Sequence, residues 1–183
     1  MKLYIDKPRF KNSPPFRAIF FDDRARRENP MSLAAIKPTL ERLLTPILER
    51  HEAFLVDLVL RNDRRGTNIQ ALVDTDKGVT IEKCSEISRE FGLILESEGV
   101  FERSYQIELS SPGIDKPLRL LRQYPKNIGR RFTVQYQGKD APATLTGILE
   151  GVEQELITFT PEKGEPVQLN YSQIIEMKEV LPW

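Results

Sequence analysis

His51, Cys84, Asp74 and Asp76 are the side chains whose chemistry could move protons, attack a substrate or hold a metal. His51 is the only histidine in the chain, and imidazole changes charge near neutrality. It stands where a first helix ends, so a capping or surface role outweighs catalysis. Cys84 is the only cysteine, which excludes an internal disulfide and any cysteine-built zinc site. It falls on the apolar face of a helix, where a free cysteine is a small core residue, and no sequence neighbour would lower its pKa. Asp74 and Asp76 form a carboxylate pair without the further oxygen ligands of a calcium loop, and read as a solvated turn. Ser110 and Ser111 lack a G-x-S-x-G elbow, and "GKD" at Gly138 lacks the rest of a phosphate loop. The pattern specifies no enzyme, no metal and no cofactor.

Binding chemistry remains, and charge distribution locates it. The 27 basic and 27 acidic residues cancel overall, but not locally. Residues 1–30 hold 8 Lys/Arg against 4 Asp/Glu, and residues 31–110 hold 10 against 14. Residues 111–140 hold 7 against 2, and residues 141–183 hold 2 against 7. A cationic middle beside an acidic last quarter can steer phosphates to one place without a basic pI. Lys116, Arg119, Arg122, Lys126, Arg130 and Arg131 make up that middle, and Arg61, Arg64 and Arg65 add a second basic turn. Taken alone, the same residues suit a solvated linker equally well. A phosphate-binding role requires that internal carboxylates do not neutralise them. Tyr105, Tyr124 and Tyr136 offer stacking faces, but Tyr105 and Tyr136 fall on core positions.

The elements that position these residues follow from periodicity. Residues 1–31, with four prolines and no sustained period, read as a poorly ordered extension. From Ser32, a candidate N-cap, Ile36, Leu40, Leu43, Leu44, Ile47 and Leu48 form one helical stripe. Pro38 is tolerable only near the first turn, and Pro46 predicts a kink or break. "FLVDLVLR" and "TNIQALVD", joined through "NDRRG", form a hairpin. Thr80 caps a second helix whose inner face is Ile81, Cys84, Ile87, Phe91 and Leu95. "YQIEL" adds a third strand. The order α-β-β-α-β predicts helices layered over a three-stranded sheet across 32–110.

"SSPGIDKP" then stops the strand. Pro112 and Pro117 restrict the backbone, Gly113 permits positive φ, and Ser110 and Ser111 can satisfy turn amides. With Asp115 these residues form a semi-rigid hinge over 111–118. A short helix is expected around Leu118 to Tyr124, followed by five short strands. That many strands in so few residues predict a small closed or nearly closed barrel across 119–183, with Gly147 at a sharp bend. The fold class is therefore α+β in two small domains. No apolar run nears the roughly 20 residues of a membrane span, and no secretory signal is visible. The expected location is the cytoplasm.

"YQIELSSPGIDKPL" resembles the signature of the bacterial ribosome maturation factor RimP family. "VDTDKGVTIEKCSEISREF" resembles that family's strand, acidic turn and helix. Lys83 stands where an acidic residue is common, and His51 where a glycine is expected. The likeness spans residues 31–180. It implies an N-terminal α/β domain joined to an Sm-like barrel, and a factor that binds the immature small ribosomal subunit. Its implied role is to assist folding of ribosomal RNA and the joining of a small-subunit ribosomal protein, without catalysis. On this view the cations contact rRNA phosphates, while the acidic barrel is free to receive a basic ribosomal protein. The chain would act as a monomer, away from membranes. The competing readings are a general Sm-like RNA-binding module and, more remotely, an enzyme using Asp74, Asp76 or Cys84.

Overall fold

The computed structural model describes residues 3–6, 33–63, 66–114 and 116–181. Ser32, Arg64, Arg65, Asp115 and most of the N-terminal extension lie outside them. The described residues form two α-helices, nine strands and three short 3-10 turns, with the strands in two sheets, an α+β architecture.

Helix α1 (Leu33–Arg50) buries all six residues of the expected stripe. It runs unbroken through Pro38 and Pro46 rather than breaking at Pro46. A helix-interior proline costs about 3 kcal/mol. Leu43, Leu44, Ile47 and Leu48 are buried on either side of Pro46, and each contributes roughly 1.5–3 kcal/mol, so burial wins. Thr45 Oγ1 also donates to the Glu41 carbonyl at 2.7 Å. Glu52, one residue past His51, takes the left-handed conformation that ends the helix, with φ 52°.

Four strands make the first sheet: β1 (Leu3–Asp6), β2 (Ala53–Asp63), β3 (Gly66–Thr75) and β4 (Tyr105–Ser110). Their order is β1-β4-β3-β2. The sheet thus has one strand more than expected, because Leu3–Asp6, within the segment anticipated to lack order, pairs antiparallel with β4. Ile69, Ala71 and Val73 are buried as alternation predicts, whereas only Leu58 of the expected β2 face is fully so. Helix α2 (Ile81–Ser97) buries Cys84, Ile87, Phe91 and Leu95 and packs on β4 and α1. Ile81 is 49% exposed; at the helix's first position, it stands a turn before the packed face begins.

The second sheet contains β5 (Arg131–Gln137), β6 (Pro142–Glu153), β7 (Leu156–Pro161), β8 (Val167–Asn170) and β9 (Ile174–Glu179). Its order is β8-β7-β6-β5-β9. All five expected strands form, but β8 and β9 are both edges, so no ladder between them closes a barrel among the described residues. The reason is local. Only the turn Tyr171–Gln173 separates them, with Asn170 Oδ1 accepting from Ser172 N at 3.0 Å, and β9 leaves that turn to pair with β5. Register shifts at Gln135/Tyr136 and Leu149/Gly151 bend the sheet. Its core is Tyr124, Phe132, Val134, Leu149, Ile157, Phe159, Leu169 and Met177. At buried Gly147 a Cβ would stand 2.5 Å from the Thr160 carbonyl oxygen, so the neighbouring strand β7 requires glycine there. The helix expected around Leu118–Tyr124 is instead two 3-10 turns, Leu121–Gln123 and Pro125–Asn127, since Pro125 cannot extend the first as an α-helix.

Two compact units result. One draws its described residues from Met1–His51, Asp57–Ala71 and Ile81–Ser110; the other draws from Glu52–Val56, Leu72–Thr80 and Ser111–Trp183. The second unit therefore takes the start of β2, the end of β3 and the "DTDKG" turn together with the five-stranded sheet.

Candidate functional site

The second unit holds a cleft of about 260 Å³. Asp74 and the Lys77–Val79 turn line it, as do Ser111–Ile114 and Lys116–Leu118. Gln123, Lys126 and Asn127 also line it, and Arg130, Phe132 and Glu179 come from and beside the sheet. The two sequence stretches quoted for the family resemblance thus meet at one concave surface.

Asp74 is its structural centre. Expected in a solvated turn, it is instead 5% exposed. Gln123 Nε2 donates to Asp74 Oδ2 at 2.9 Å, and the Lys126 ammonium donates to Asp74 Oδ1 and, at 2.9 Å, to the Thr75 carbonyl. Gln123 Oε1 accepts from the backbone N–H groups of Arg119 and Leu120. Asn127 Nδ2 donates to the Gln123 carbonyl at 2.7 Å. A carboxylate buried this deeply is tolerated because it is paired and hydrogen-bonded. Asp76, by contrast, is exposed. Arg122 grips it through Nε at 2.7 Å and Nη2 at 2.9 Å, and that hydrogen bond holds the carboxyl below its usual range. The same guanidinium lies 4.5 Å from the centre of the Phe54 ring.

The anticipated basic residues fall into distinct groups. Lys126 is 19% exposed and committed to Asp74. Arg122 pairs with Asp76, Arg130 with Glu179 at 3.2 Å and Arg131 with Glu162. The three arginines remain roughly half exposed. Lys116, Arg119 and Arg61 are exposed, and Arg61 belongs to β2 in the first unit. The basic run is therefore largely internally neutralised rather than an unpaired collar. Of the hinge residues, Ser111, Pro112, Gly113 and Pro117 line the cleft, and Gly113 has φ 80°. Ser110 ends β4. Leu118 N–H donates to the Met177 carbonyl at 2.9 Å, on the outer edge of β9.

The remaining candidates are structural. His51 Nε2 lies 2.9 Å from Glu90 Oε1, and Arg50 Nη2 donates to Glu90 Oε2 at 2.6 Å, so His51 fastens the end of α1 to α2. Those two partners hold the Glu90 carboxyl below its usual range, Arg50 more than His51. Cys84 is buried, and burial pushes its thiol up, away from the reactive thiolate. Tyr124 is fully buried and stacks edge-on with Tyr171, which removes it as a base-stacking face. Tyr105 is buried, with its hydroxyl donating to the Gly92 carbonyl. Among the described residues no cluster of His, Cys, Asp and Glu is arranged to hold a metal ion, and no helix is long and apolar enough to cross a membrane.

A family profile described as the RimP N-terminal domain matches residues 43–115. A ribosome maturation factor RimP from Cytophaga hutchinsonii is 35% identical over 128 residues, spanning 69% of this chain and 75% of that relative. The chain belongs to the RimP family of ribosome maturation factors. The RimP N-terminal match takes in the lining residues Asp74, Lys77–Val79 and Ser111–Ile114. Gln123, Asn127, Glu162 and Glu179 escaped sequence reasoning. The partners of Gln123, Glu162 and Glu179 at Asp74, Arg131 and Arg130 lie 31–49 residues away along the chain, beyond any local period, and Asn127 bonds to Gln123 itself. The only hint was an amide pair spaced i, i+4 in an otherwise basic and apolar stretch.

Proposed function

We propose that the chain is a maturation factor that binds the immature small ribosomal subunit and assists rRNA folding and the incorporation of a basic small-subunit ribosomal protein. The observation that carries this reading is its 35% identity across 128 residues to a RimP ribosome maturation factor. Such a factor works by preference. It must bind the unfinished particle more tightly than the finished one, because equal affinity shifts no equilibrium. The rRNA contacts in this reading are Arg61, Arg64, Arg65, Lys116 and Arg119. Arg122, Lys126, Arg130 and Arg131 drop out of the set, because Asp76, Asp74, Glu179 and Glu162 already hold them.

The five-stranded sheet, read as an Sm-like fold, supplies the acidic surface for the ribosomal protein. Ser110, Ser111, Pro112, Gly113, Asp115 and Pro117 act as a semi-rigid link before it. The factor works as a monomer in the cytoplasm, without a cofactor.

The test is co-sedimentation of the full chain with free small subunits, assembled ribosomes and naked single-stranded RNA, over a salt series. Preferential capture of free small subunits is expected. The variant R61E/R119E should bind less and show a shallower salt slope. Equal binding to naked RNA would favour a general RNA-binding module instead.

A further inference from the structure

We infer that the cleft of the second unit is a receptor for one unpaired nucleotide of RNA. The inference rests on the rRNA-binding function proposed above and deepens it. Four cations and two carboxylates line the cleft, and the two acids are already satisfied, Asp74 by Lys126 and Glu179 by Arg130. Lys77 and Lys116 are exposed lining residues, and neither ammonium has an ion-pair or hydrogen-bond partner among the described residues. The positive surplus is thus carried by two uncommitted ammonium groups, one from the Lys77–Val79 turn and one from the segment after Gly113. Gly78 and Gly113 stand beside them with φ 92° and 80°. A Cβ built at Gly78 meets nothing within 4 Å, so the approach to the backbone there is open.

The interior suits a base rather than a bare anion. Val79, Pro112 and Pro117 supply half-buried apolar walls. Asn127, 6% exposed, spends its amide nitrogen on the Gln123 carbonyl, and its Oδ1 takes no hydrogen bond among the described residues. Asn127 is a lining residue, and an amide oxygen is an acceptor, complementary to a base N–H and repulsive to a carboxylate. A volume of about 260 Å³ excludes a helix, whose diameter is about 10–12 Å, and excludes a duplex. An extruded base between apolar walls, its flanking phosphates on two lysines, is how single-stranded RNA is ordinarily recognised.

The experiment uses the full chain and its K77Q/K116Q variant, titrated with a single-stranded RNA hexamer, the same sequence as a duplex, inorganic phosphate, and an acidic hexapeptide. The hexamer should shift the backbone amide resonances of Gly78, Gly113 and Asn127. The variant should bind it about tenfold more weakly, with a log–log salt slope shallower by roughly 1.4, two phosphates at about 0.7 each. Undisturbed cleft resonances, an equal response to duplex, phosphate or peptide, or unchanged affinity in the variant would overturn the assignment. Small-subunit co-sedimentation separates the two readings. If both proteins co-sediment alike, the cleft assignment fails while the maturation role stands. If the wild type binds the hexamer at the cleft but ignores small subunits, the maturation role fails and the cleft stands.

Discussion

Gln123 and Asp74, 49 residues apart in the chain, share a 2.9 Å hydrogen bond with both side chains buried. Together with Lys126 they place a charged, satisfied network beneath the cleft. Substituting Asp74→Ala leaves the Lys126 ammonium, only 19% exposed, without a carboxylate, and should destabilise the protein by about 3 kcal/mol. In urea denaturation, D74A/K126M should recover part of that loss, because the double variant buries no orphan charge.

Gly147→Val should destabilise the second unit by about 1–3 kcal/mol. The added Cβ would be forced to 2.5 Å from the Thr160 carbonyl oxygen and 2.9 Å from Pro161 Cα, both backbone atoms that cannot step aside alone. Thermal melting monitored through β-sheet circular dichroism is the direct measurement.

Acid should loosen the junction of α1 and α2. Glu90 is held below its ordinary value of about 4.3 by Arg50 and His51. Its folded pKa is thus lower than its unfolded one, so its contribution is complete above the unfolded value and disappears as pH falls through the folded one. Stability measured from pH 6 down to 3 should fall less steeply in Glu90→Gln than in the wild type. Identical slopes would mean that the pair contributes nothing in solution.

Arg122→Lys separates charge from shape. Lysine keeps the attraction to Asp76 but loses the forked grip and the planar face over Phe54. Since Arg122 and Asp76 are both more than half exposed, the ion pair itself is worth under about 1 kcal/mol, and stacking adds roughly 0.5–1. R122K should therefore lose nearly as much stability as R122A in chemical denaturation. Full retention in R122K would assign the whole effect to charge.

The extent to which this fold can be read from sequence follows from interaction range. The α1 stripe and the five strands of the second sheet are visible because their apolar residues repeat at 3.6 or 2 positions. Pro46 misleads because local propensity predicts a break that tertiary burial overrides. Leu3–Asp6 pairs with a strand about a hundred residues later, and a four-residue segment carries too little pattern to reveal it. At the candidate site the "SSPG" and "DTDKG" stretches are conspicuous, but their meeting is not. Asp74 reads as a hydrated turn residue until Gln123 and Lys126 are brought to it. The arginines of 119–131 read as unpaired because Glu162 and Glu179 lie far along the chain.

The second unit recruits Glu52–Val56 and Leu72–Thr80 as well as everything after Ser110. During vectorial synthesis, Asp74 leaves the ribosome some fifty residues before the cation that neutralises it, and β5 waits for β9 at the far end of the chain. The cleft thus stays incomplete until Glu179 has followed Asp74 out of the ribosome, about a hundred residues later.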